Sequence, residues 1–74
     1  MTTNRERTML QLVADAMPMP VTPVEISRGL GISTGYAREV AKILTGRGLV
    51  DARKGMTLSY TITDAGRKEL NGDG

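Results

Sequence analysis

With 74 residues and ten Lys and Arg against eight Asp and Glu, the chain has a net charge of +2, so bulk electrostatics nominates no partner and the placement of charge must. It has no cysteine and no histidine, which excludes a disulfide framework and the usual zinc ligands; no metal and no cofactor is expected. No apolar run approaches the ~20 residues of a membrane span and the N-terminus has no signal-like hydrophobic stretch, so the expected place is the cytoplasm, that of a phage-infected bacterium included.

Taken in chain order, Thr3 and Glu6 form a capping box before a helix from about Asn4 to Ala16, with Met9, Leu12, Val13 and Ala16 facing inward. Pro18 and Pro20 end it, and a proline restricts its predecessor as well as itself. Met17 to Val21 should therefore be extended and add a small third strand to any sheet nearby. Thr22 caps the next helix, Pro23 suits its first position, and Glu25 is placed to complete a second capping box over about Pro23 to Leu30. Gly31 can take the left-handed conformation that ends a helix, Ile32 points inward, and Ser33 caps a third helix.

From Thr34 to Arg47, steps of 100° per residue bring Tyr36, Ala37, Val40, Ile43 and Leu44 onto one side. Gly35, Arg38, Lys42 and Thr45 lie opposite, with Thr34 on the flank and Glu39 to one side, so long cationic donors stand among small residues that permit close approach. Gly48 offers another helix stop. The period then changes from 3.6 to 2: Leu58, Tyr60 and Ile62 alternate with Thr57, Ser59 and Thr61, as in a strand with one dry face. Leu49 to Arg53 is its antiparallel partner, and Arg53, Lys54 and Gly55 form a basic hairpin tip. Thr63 caps a last helix from about Asp64 to Leu70, and Asn71 to Gly74 should fray.

The order and spacing of LGIS at Leu30 to Ser33, the L-x3-GLV pattern from Leu44 to Val50, and Y-x-I-T-x-x-G at Tyr60 to Gly66 resemble the winged helix-turn-helix domains of bacterial and phage transcription regulators. The last motif is similar to that of the multiple-antibiotic-resistance regulator class. The resemblance covers most of the chain and implies an α+β, mainly α fold, with a three-helix core, a β-hairpin wing and a short C-terminal helix. It is read as one domain over residues 1–74, of which only about 60% of the unfolded surface can be buried at this size. Without Phe or Trp, the core must come from Leu, Ile, Val, Met and Tyr36 or Tyr60.

The functional expectation is sequence-specific recognition of double-stranded DNA by a small transcriptional regulator. Ser33, Thr34, Gly35, Arg38, Lys42 and Thr45 form the reading surface, with Arg38 the best base reader because its planar fork matches guanine O6 and N7. Arg53, Lys54 and Gly55 in the wing would meet flanking phosphates or the minor groove, as the resemblance implies, and Arg28 could touch the backbone. Against each stands a plainer role: the cations as a solvated face, Ser33 as a cap only, Thr45 as a solvated helix residue, and Arg5 and Arg7 as solubilising charge.

Enzymatic activity is not expected, since no recognisable constellation of carboxylates, lysine or activated serine is present, and the glycines at 29, 31 and 35 lack phosphate-loop spacing and read as turn residues. The rivals are a protein-binding winged-helix adaptor, acting on transcription or recombination machinery, and a phage recombination or replication accessory factor. An exposed apolar patch on the reading helix would favour the adaptor. The chain is too short for a separate ligand domain and lacks the long added dimerisation helices of the resistance-regulator class. If a homodimer forms, the first or last helix supplies its surface, with Met9, Met17, Met19 or Leu70 contributing, although core packing is the plainer job for Met9 and Leu70, and the reading helices sit ~34 Å apart on a near-palindromic site.

Overall fold

The structure, a computed structural model, describes residues 4–72. Four helices and one hairpin follow one another: α1 (Asn4–Asp15), α2 (Pro23–Leu30), α3 (Thr34–Gly46), β1 (Val50–Arg53), β2 (Ser59–Ile62) and α4 (Asp64–Gly72). The Thr3 half of the first capping box lies outside the described residues, whereas Glu6 pairs with Arg47.

The α2–α3 corner is built by local hydrogen bonds that its residue types dictate. Thr22 and Glu25 form a complete capping box, with Glu25 N–H donating to Thr22 Oγ1 at 3.3 Å and Thr22 N–H to Glu25 Oε1 at 3.0 Å. Gly31 ends α2 at φ 67°, a left-handed conformation that a side chain would strain. Two residues later the Ser33 hydroxyl accepts from Tyr36 N–H at 3.1 Å and starts α3. At the other end of α3, Gly48 adopts φ 77° while Leu49 N–H donates to Leu44 O at 3.0 Å, so the chain turns sharply into β1. Gly29 and Gly35 are helical rather than turn residues: the former lies inside α2, where a Cβ would strike the Leu12 side chain of α1, and the latter inside the first turn of α3.

β1 and β2 pair antiparallel from Val50↔Ile62 to Arg53↔Ser59. This register makes Arg53 the last strand residue and leaves residues 54–58 for the tip, which is longer than the expected Arg53 to Gly55 turn because Leu58 leaves the ladder and lines the cleft beside α3. The third strand shrinks to one bridge, Val21↔Tyr60, closed by hydrogen bonds of 3.0 and 2.8 Å. Turn hydrogen bonds from Met17 and Met19 back to Ala14 and Ala16 keep the preceding residues from extending.

The core combines Met9, Leu10 and Val13 of α1, Ile26 of α2, and Ala37, Val40, Ala41 and Leu44 of α3 with Val21, Leu49, Val50, Tyr60 and Ile62. Each fully buried large aliphatic contributes roughly 1.5–3 kcal/mol by leaving water. Two expectations are corrected here. Leu10 of α1, not among the expected inward positions, is fully buried, while Leu12 and Ala16 do pack against the core but are only half-buried, Ala16 lying one residue past the end of α1. On α3 the buried stripe is 37, 40, 41 and 44; Tyr36 and Ile43 are about half exposed, at 47% and 50%. The stripe centres on Ala41, a small residue that lets α3 lie close to its neighbours, and this rotates Tyr36 and Ile43 out to the flank.

Polar ties between residues distant in sequence close the molecule around the base of the hairpin and the ends of the helices. Thr63 donates its hydroxyl to Gly48 O at 2.7 Å and accepts Gly66 N–H at 3.0 Å, joining the end of α3 to the start of α4. Gly66 is buried, and a Cβ there would collide with the Leu49 carbonyl oxygen, so α4 can approach β1 only with glycine at this position. Arg7 donates to Leu70 O at 2.8 Å, and Arg47 to Glu6 at 3.1 Å. Together these fix the hairpin relative to α3. Asn71 and Gly72 remain helical, two residues past the expected end.

Candidate functional site

The exposed side of α3 and the inner side of the hairpin enclose a cleft of about 510 Å³. Gly35, Arg38, Glu39, Lys42 and Thr45 border it from the helix, and Ala52, Lys54, Leu58 and Tyr60 from the hairpin. Burial of Ala37, Val40, Ala41 and Leu44 on one side of α3 sets the direction in which Arg38 and Lys42 emerge on the other, and the hairpin register brings Lys54 to face them. Among the described residues no carboxylate lies within ion-pair distance of Arg38, Lys42, Arg53, Lys54 or Arg28, although Glu39 borders the same cleft. The guanidinium and ammonium groups are therefore free to neutralise an incoming anion.

The remaining sequence-predicted positions divide by what their side chains already touch. Ser33 caps α3. Thr34 donates to Ser27 Oγ at 3.4 Å, tying α3 to the buried serine of α2, and Thr45 donates back to Ala41 O at 2.7 Å. Both Thr45 and Ser33 have their hydroxyls engaged locally, and of the two Thr45 lines the cleft. Gly35 and Gly55 are exposed with open space around a would-be Cβ. Arg28 is exposed on α2, and Arg53 at the end of β1.

Three features escaped sequence reasoning. Tyr60 is a core residue, 3% exposed, yet it also lines the cleft, and burial raises its phenol pKa while the positive charge of Arg38 opposes that rise. Its place in an alternating strand had signalled only the core. Tyr36 carries the guanidinium of Arg5 5.4 Å above its ring centre, a cation–π contact between α1 and the flank of α3. Met56 is fully exposed at the hairpin tip. Among the described residues no three acidic side chains gather as a metal site requires, and no helix is long and apolar enough to cross a membrane.

Neither a family model nor a curated protein sequence matches this chain. Solved structures do. The DNA complex of Staphylococcus aureus MepR superposes with a TM-score of 0.89 at 14% identity, over 97% of this chain and 61% of that one. The fold is a winged helix. Bordetella bronchiseptica BpsR, whose DNA binding is regulated by 6-hydroxynicotinic acid, gives 0.85 at 20% identity over 95% of this chain and 50% of its own. The multiple antibiotic-resistance repressor of Listeria monocytogenes gives 0.82 at 17% identity, over 93% and 47% respectively. The chain spans about half the length of the solved regulators it matches, with 50%, 47% and 61% of these three covered. In this fold α2 and α3 form the helix-turn-helix and the β1–β2 hairpin is the wing.

Proposed function

We propose that this winged helix binds double-stranded DNA sequence-specifically as a small transcriptional regulator, with α3 in the major groove and the wing on the flanking backbone. The observation that carries the reading is the convergence of Arg38, Lys42 and Lys54, none of them ion-paired among the described residues, on one cleft between the exposed helix and the hairpin. Arg38 reads guanine through two hydrogen bonds, Lys42 takes a phosphate or guanine, and Lys54 with Arg53 neutralises flanking phosphates. Thr34 and Thr45 supply shorter contacts, Gly35 and Gly55 let the backbone approach closely, and Arg28 reaches a phosphate beside α2. The amides around Ser33 and Thr34 at the start of α3 favour a phosphate there. The likeness to a regulator solved with DNA supports the reading. The account requires no cofactor, metal or catalytic step.

The adaptor reading draws on one observation, the half-exposed Tyr36 and Ile43. They sit on the flank of α3 rather than among its cations, and Arg5 already covers one face of Tyr36, which keeps DNA ahead. An accessory role in recombination or replication would use the same cleft and is separated by whether binding selects a sequence. Selection from a random duplex pool, followed by gel shifts at varied salt, tests the proposal. Enrichment of a defined site with a steep salt dependence is expected, and binding that selects no sequence, or that ignores salt, would contradict it.

A further inference from the structure

The cleft contains a donor that neither the fold nor the cation set uses. Tyr60 is anchored through its backbone on both sides, by the Val21 bridge and by pairing with Ala52, so its ring position is fixed by the sheet. The side chain is buried and lines the cleft, but its hydroxyl has no hydrogen-bond partner among the described residues. A buried hydroxyl left unmatched is costly, whereas Phe of the same shape would fill the site at no such cost. On the same hairpin wall lie the apolar side chains of Ala52 and Leu58 and the charge of Lys54, and on the helix wall the charges of Arg38 and Lys42. A neutral donor, two apolar walls and a cationic rim match the chemistry of one phosphodiester with its neighbouring deoxyribose: oxygen for the hydroxyl, sugar carbons for the walls, negative charge for the rim.

We infer that Tyr60 is a DNA-backbone contact, donating its hydroxyl to a phosphate seated in the cleft between α3 and the wing. The inference rests on the DNA-binding reading and deepens it. Arg38, which lines the same cleft, places a positive charge beside the same phosphate without having to leave the base edge. The contact fixes the depth at which α3 enters the groove, because Tyr60 cannot move without the sheet.

The test compares wild type with Tyr60→Phe on a selected duplex and on unrelated duplexes, together with thermal melting of both proteins. Phe should melt no lower than Tyr and should bind every duplex about tenfold more weakly, the usual weight of a hydrogen bond to a charged group. The dependence on salt should keep its slope, since the lost donor is neutral. A second measurement replaces single phosphates by uncharged methylphosphonates: both proteins lose the attraction of the cationic rim at the seated phosphate, but at that one position wild type should lose more affinity than Tyr60→Phe, which a change in folding cannot imitate. Equal binding by the two proteins, or identical methylphosphonate profiles, would overturn the inference while leaving DNA recognition intact. Failure of the wild type to bind any duplex would overturn the underlying reading instead.

Discussion

The arginines of this molecule have two kinds of surroundings. Arg7 and Arg47 are tied to the Leu70 carbonyl and to Glu6, across 63 and 41 residues of sequence, and they hold α1 against α4 and the end of α3. Arg38, with Lys42 and Lys54, borders the open cleft with no ion pair among the described residues. The first group uses its charge within the fold, and the second leaves its charge without an internal partner among the described residues. In a chain whose net charge is +2, this division is what favours the cleft as the proposed binding surface, which the total charge cannot do.

If the division is correct, substitutions on the two faces of α3 should separate folding from binding. Leu44→Ala, at a fully buried position, should cost about 2–5 kcal/mol and leave a domain of this size largely unfolded in urea or thermal melts. A melt close to wild type would show that the stripe on α3 is not the core. Next in size, Gly66→Ala should cost about 1–3 kcal/mol by pushing α4 off the Leu49 carbonyl, whereas Gly35→Ala, with open space around it, should leave stability unchanged or raise it by up to about 1 kcal/mol. Equal melting of the two alanine variants would remove the close approach as a determinant of the fold.

At the cleft, Arg38→Ala should fold normally and lose about 1–3 kcal/mol of discrimination between the preferred base and its alternatives, measured by competition with single-site variants of the duplex. A uniform loss over all sequences would move Arg38 from base reader to phosphate contact. The smallest effect belongs to the tied group: Arg47→Ala removes a partly exposed ion pair with Glu6 and should cost about 0.2–1 kcal/mol, with DNA affinity unaffected. A large loss of affinity there would erase the distinction between the two groups of cations.

The legible parts of this sequence are those decided within a few residues. Thr22, Pro23, Glu25, Gly31 and Ser33 define the corner because each satisfies, or dispenses with, a backbone group at a helix end, and that chemistry is local. The alternation through Tyr60 and Ile62 likewise sets the dry face of β2. What required coordinates was distance in the chain and width of contact. A helical wheel gives the direction of an apolar face but not the breadth of the arc that neighbours cover, so Tyr36 and Ile43 fell inside the expected stripe and outside the real one. The close approaches at Gly29 and Gly66, and the ties from Arg7 and Arg47, depend on partners far along the chain. The cations of the candidate site were readable as residue types on predicted elements, and three of them, Arg38, Lys42 and Lys54, share one cleft. The position of Lys54 opposite Arg38, and the double place of Tyr60 in core and cleft, depend on the hairpin register.

The central claim, that the cations bordering the cleft are kept free to neutralise phosphates, is tested most directly by DNA affinity measured across salt concentrations. Phosphates neutralised by Arg28, Arg53 and Lys54, with Lys42 as a fourth where it takes a phosphate, would give a linear fall of log affinity with log salt of slope about −3 to −4, and Lys54→Ala should reduce it in magnitude by about one with equal loss on every sequence. A slope near zero, or one that Lys54→Ala leaves unchanged, would contradict the account.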